Sequence, residues 1–135
     1  MATYAILGLL LLHGPLPKPR SLTGTWEWGD TQRGGGELLV IEEPTRVRFQ
    51  LELWRGAPSH NMGFLEGTVT VKDGRGRFSS REAGMACDID FTFQQDKVVV
   101  HQTGTDAACG FGHEVYADGT YKRTSQRKPV FREQP

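Results

Sequence analysis

From Val47 to Leu53 the chain alternates apolar and polar side chains without a break. Val47, Phe49, Leu51 and Leu53 alternate with Arg48, Gln50 and Glu52. The pattern returns at Cys87, Ile89, Phe91 and Phe93, separated by Asp88, Asp90 and Thr92. A period of two places one set of side chains in a core and the other in water, as a half-buried strand requires. No stretch carries the longer period of an amphipathic helix, so the chain is confined to all-β architectures.

The alternating runs are punctuated by turn signals. Strands are expected over 22–28, 37–42, 46–55, 62–72, 75–80, 86–94 and 97–103. A last hairpin or bent strand over 114–117 and 120–124 flanks Asp118-Gly119. Most of the 17 glycines and 7 prolines fall between these runs, where turn geometry needs them. Gly34, Gly35 and Gly36 read as a mobile connection before the second strand. Asp73-Gly74 is the strongest hairpin signal, because both positions of a tight primed turn favour these residue types. A two-residue turn at Gln95-Asp96 sets Phe93 opposite Val98 and Phe91 opposite Val100. A three-residue loop at 43–45 sets Val47 opposite Ile41 and Phe49 opposite Leu39. A slip of one residue in either hairpin would turn its apolar set to solvent. Successive hairpins of similar length imply an antiparallel up-and-down β-barrel of about eight strands, since closure removes exposed edges. A β-sandwich is the structural alternative.

Three regions differ in composition. Residues 1–20 hold an apolar run, AILGLLLL, and a Pro-rich linker. The run is far shorter than the about 20 residues that span a bilayer, and it has the length of a secretory h-region. It lacks a preceding Lys or Arg and a clear Ala-x-Ala site; the alternative is a frayed apolar N-terminus. Residues 21–124 form the expected barrel domain, and 125–135 a polar tail. The reading is an exported protein, periplasmic or extracellular, with no integral membrane span. In an oxidising compartment Cys87 and Cys109 would pair, closing a loop worth on the order of 3 kcal/mol; in a reducing one they are two free thiols. Sixteen basic residues balance sixteen acidic ones. A balanced charge gives no long-range attraction toward nucleic acid or anionic membrane.

Leu22-Thr23-Gly24-Thr25-Trp26 carries a Gly two residues before a Trp on the first strand. This resembles the GxW signature of lipocalins and related calycin barrels. The resemblance implies a barrel floor in which Trp26 closes one end, Gly24 lets the backbone bend close, and Arg123 from the last strand lies across the indole. The size, leader and cysteine use are also similar to small exported bacterial barrels such as lysozyme inhibitors. That likeness is one of architecture; the inhibitory loop motif of those proteins has no residue-by-residue match here.

Two segments read as a binding face. Trp54 and Arg55 precede a loop that carries Ser59, His60 and Asn61, and Trp and Arg are enriched at interface hot spots. Alternation points Trp54 outward, where it either meets a partner or covers the sheet end. Between Thr103 and Tyr121, Cys109 is followed by Gly110, Phe111, Gly112 and His113. A Gly-rich loop tied by a disulfide is rigid, and little entropy is lost when it binds. It is not a phosphate loop, since the pattern GxxxxGK[ST] is absent. Asp88 and Asp90 lie on one strand face, and Asp90 falls opposite His101. Such a pair could serve acid–base chemistry, but a mid-strand position on a polar face reads first as surface. No nucleophile elbow, zinc signature or dinucleotide fingerprint occurs in the sequence.

The expectation is therefore a monomeric, non-enzymatic exported module with no cofactor and no metal. Its partner would be an extracytoplasmic protein, for example a hydrolase that it inhibits. The alternative is a carrier of a small apolar ligand, which would need an internal cavity of roughly 300 Å³ or more.

Overall fold

The alternation in the sequence is realised as one curled sheet. The computed structural model describes residues 21–133. Its strands are β1 (Gly24–Asp30), β2 (Gly34–Glu42), β3 (Val47–Trp54), β4 (Met62–Val69), β5 (Arg75–Ser80), β6 (Cys87–Gln94), β7 (Lys97–Thr103) and β8 (Gly119–Ser125). All pairs are antiparallel, in the order β4-β3-β2-β1-β8-β7-β6-β5. The first and last strands meet, and the sheet curls into a nearly closed barrel. The seam lies between β4 and β5, and the chain joining them makes one isolated bridge, Lys72–Arg75.

The β6–β7 hairpin has the expected register, with Phe93 opposite Val98 and Phe91 opposite Val100. The β2–β3 hairpin does not. Phe49 faces Val40, Ile41 faces Arg48, and Glu42 faces Val47. The loop spans 43–46, closed by Glu43 N–H donating to Arg46 O at 2.8 Å. The difference has a physical cause. Leu38-Leu39-Val40-Ile41 is apolar on both faces, so alternation cannot fix its register. Leu38 and Val40 point into the barrel, while Leu39 and Ile41 point outward yet are buried.

The end of the chain crosses the same outer face. Residues 126–133 run back across the outer face of the first strands. Arg132 N–H donates to Gln50 Oε1 at 2.8 Å, and Gln50 Nε2 donates to Arg132 O at 2.7 Å. The Arg132 guanidinium binds Glu52 Oε2 at 2.7 Å and also Glu37. Arg48 lies over the Phe131 ring at 4.9 Å. The segment read as a polar tail is thus a strap tied to the outer face of β2 and β3.

Gly34, Gly35 and Gly36 are buried in β2 rather than mobile. Their small size is what the packing needs. A Cβ on Gly36 would sit 2.7 Å from Tyr121 Oη and 2.8 Å from Trp28 Nε1, and one on Gly35 would lie 3.0 Å from the Trp54 ring. The expected strand over 114–117 is also absent. Val115 and Ala117 are buried in irregular chain, held by Ala117 N–H donating to Gln102 Oε1 at 2.8 Å and Tyr121 Oη donating to Ala117 O at 2.8 Å. β4 stops at Val69, short of residue 72.

Large side chains meet across the lumen. Phe49 of β3 lies 5.0 Å from Phe91 of β6, and Trp26 of β1 lies 5.6 Å from Phe93. These strands are not sheet neighbours, so the rings meet inside the barrel. At one end Trp26 is fully buried, with Arg123 4.2 Å over its ring. Trp26 and Arg123 are direct cross-strand partners. Arg123 Nη1 also donates to Ser21 O at 2.8 Å, and Trp26 Nε1 to Leu22 O at 3.2 Å. Gly24 has φ 152°, and a Cβ there would lie 2.2 Å from Ser125 O. Gly24, Trp26 and Arg123 thus lie together at this end of the barrel. Cys87 and Cys109 form a disulfide. No helix among the described residues is long and apolar enough to cross a membrane. The leader expected over 1–20 lies outside the described residues.

Candidate functional site

The end of the barrel opposite Trp26 carries the β3–β4 loop (55–61), the β5–β6 connection (81–86) and the long β7–β8 loop (104–118). Antiparallel succession dictates this, because alternate connections fall at the same end. The two segments read as one binding face are brought into contact. Gly112 N–H donates to Met62 O at 2.8 Å, and Asn61 Nδ2 donates to His113 O at 3.1 Å. Arg55 Nη2 pairs with Glu114 Oε2 at 2.5 Å.

Local chemistry shapes each loop. His60 N–H donates to Gly56 O at 2.8 Å, and the Ala57–Pro58 peptide is cis. A Cβ on Gly56, at φ 84°, would meet Gln32 O at 2.3 Å, so only glycine suits that approach. In the second loop a 3-10 turn over Ala107–Cys109 ends at Gly110, φ 74°. Asp106 organises it. One carboxylate oxygen accepts from Ala107 N–H at 2.7 Å and the other from Glu114 N–H at 2.6 Å. These backbone donors, Glu114 first, hold the Asp106 carboxyl below its ordinary range by stabilising the charged form.

Ser59, His60 and His113 stand exposed at this end, and Arg55 and Asn61 are half-buried beside them. Phe111 does not join the exposed face. It turns inward and is buried, packed so closely on Gly63 that a Cβ there would lie 2.7 Å from its ring. It anchors the loop instead of contacting solvent. Gly110 and Gly112 flank that anchor. Trp54 covers the end of the sheet, its Nε1 donating to Asp30 O at 2.7 Å. Asp106, Glu114, Met62 and Tyr116 belong to the same end and were not singled out from sequence. Their signal was weak, since an Asp that receives backbone N–H groups looks like any loop Asp until the loop is closed.

Asp90 and His101 are cross-strand partners as expected, but their side chains turn to different groups. Arg77 grips Asp90 through Nε at 2.7 Å and Nη2 at 3.1 Å, while His101 Nδ1 meets Asp118 Oδ1 at 3.0 Å. The His101 side chain is 67% exposed, so the pair stands on a convex outer face. Asp88 accepts from Ser79 Oγ at 2.6 Å and from Arg81. These bonds, Ser79 first, lower its pKa. Among the described residues no group of three or more His, Cys, Asp or Glu side chains could hold a metal ion.

No family model matches the chain, and no solved structure matches it. The chain is similar to the replicative DNA helicase DnaB of Mycobacterium leprae, 35% identical over 86 residues. The likeness takes in 60% of this chain but only 14% of that protein, so it does not carry the whole protein's activity across.

Proposed function

We propose that this chain is an exported binding module, built on a lipocalin-like barrel, that acts on a protein partner without catalysis. The observation that carries this reading is the joining of two separate loops into one braced surface. The Arg55–Glu114 ion pair, the Asn61–His113 and Gly112–Met62 hydrogen bonds and the Cys87–Cys109 bridge hold that surface in place. A surface already ordered loses little entropy on association. Ser59, His60, Asn61 and His113 supply polar contacts, with exposed Met62 and Tyr116 as apolar ones. A hydrolase such as a lysozyme is the first partner to try. The rings that meet across the lumen favour this reading over a carrier.

The test uses a panel of muramidases and cell-wall peptidases. Inhibition or micromolar binding by the native protein, lost in an Arg55→Ala/His113→Ala variant that keeps its melting temperature, supports the assignment. Equal binding by native protein and variant, or none across the panel, overturns the hydrolase-inhibitor reading. Intact mass and thiol alkylation of the protein purified from whole native cells and medium check export independently: a retained leader with two alkylated thiols contradicts it.

A further inference from the structure

We propose that the seam beside β4 is a peptide groove, which takes an extended, basic segment of a partner protein as an added strand. The site lies on the wall of the barrel and does not depend on the loop face binding anything.

β4 and β5 are the two ends of the sheet. They leave a tight turn at Asp73 (φ 52°) and Gly74 (φ 78°), exchange two hydrogen bonds at Lys72 and Arg75, and then part. A wedge keeps them apart. The Phe78 ring crosses the seam to lie 5.5 Å from Phe49, and a Cβ on Gly67 of β4 would come within 2.6 Å of it.

The backbone of β4 is presented to this gap. Asn61 O accepts from Arg55 N–H, towards β3, whereas Met62 O accepts from Gly112 N–H on the opposite side. Alternation along an antiparallel strand then directs the N–H and C=O groups of Phe64, Glu66 and Thr68 into the seam. Edge strands are usually guarded by Lys, Pro or a bulge. β4 reads MGFLEGTV and has none of these. The facing strand is guarded, with Arg75 and Arg77 exposed along it.

Above the wedge the seam opens into a cavity of about 420 Å³, large enough for one or two side chains. Phe64, Leu65, Met85 and Ala108 supply apolar lining, and the disulfide forms part of the wall. Glu66 and Glu82 are the charged residues of the lining. Free backbone on a strand edge beside a side-chain pocket is the arrangement that binds an added strand, with alternate side chains giving specificity. An acidic rim selects a segment in which basic residues flank an apolar one.

The probe is the blocked heptapeptide TRTLTRT, whose Arg, Leu and Arg share one face of an extended strand, titrated into the whole chain and followed by amide NMR. Shifts at Phe64 and Glu66 and along 107–110 are expected, with none from TETLTET. A Glu66→Lys/Glu82→Lys variant should bind about tenfold more weakly. Two N-methylated peptides, blocked on alternate amides, require no change to the protein: one set should abolish binding and the other spare it. Absence of shifts, shifts confined to another surface, or equal effects of the two methylation patterns would overturn the proposal. So would concentration-dependent dimerisation through the same amides, which would make a second copy the occupant.

Discussion

At the residue scale, the floor of the barrel is the sharpest place to test the fold. Trp26 is fully buried under Arg123, so Trp26→Ala should cost about 3–5 kcal/mol in denaturant unfolding. Arg123→Met keeps much of the aliphatic stem and loses the cation over the ring; about 1–2 kcal/mol should go. The nearness of Gly24, Trp26 and Arg123 follows from two strands whose ends meet. The Asp90–His101 partnership was legible in register and illegible in chemistry. Strand alternation locates a side chain, but Arg77 and Asp118, which capture the two groups, arrive from other elements. Titration separates two carboxyls by sign. Backbone donors depress the Asp106 pKa, so its contribution is present above the ordinary carboxylate range and is lost as pH falls through the lowered value. Burial raises the Glu37 pKa despite Arg132, so its contribution is present at acid pH and is lost as pH rises through the raised value. Urea midpoints measured between about pH 3 and pH 7 should show Asp106→Asn falling behind the native protein as pH rises. Glu37→Gln should gain on it over the same range.

At the element scale, the strap and the disulfide are separate devices. Leu39 and Ile41 are buried although they face outward, and the strap crosses the face on which they lie. Ending the chain at Gln126 should cost roughly 2 kcal/mol, the partial re-exposure of two aliphatic side chains, and should leave the sheet intact by far-UV circular dichroism. The strap was not legible in sequence. Its residues look polar, and only the doubled apolar run in β2 hinted that something covers the outer face. The disulfide closes a separation of 22 residues, so a Cys87→Ala/Cys109→Ala variant should lose about 3 kcal/mol in the chain-entropy account. Loss of the bridge should loosen 104–118 first, seen as faster amide exchange there than in β1 or β2.

At the scale of the whole molecule, the barrel was legible because eight strands in sequence order admit few closures. The seam was not. Asp73-Gly74 carries the strongest hairpin signal in the chain, and the turn does form. Yet the strands it joins separate, because the turn dictates only two hydrogen bonds and the Phe78 ring then holds the two backbones apart. Native-state exchange should show the alternation directly, with the amides of Phe64 and Glu66 exchanging faster than those of Leu51 and Leu53 in the neighbouring strand. The pairing of β1 with β8 has a consequence in time. Thr25 meets Ser125, and Gln50 is held by Arg132. Every hairpin can form as its residues emerge from the ribosome, but neither the closing ladder nor the strap can form until the last of the described residues has been made. Such long-range contacts are slow to establish. A nascent chain therefore keeps the edge of β1 unpaired until β8 has emerged, and until then that edge is open to any other strand that meets it first.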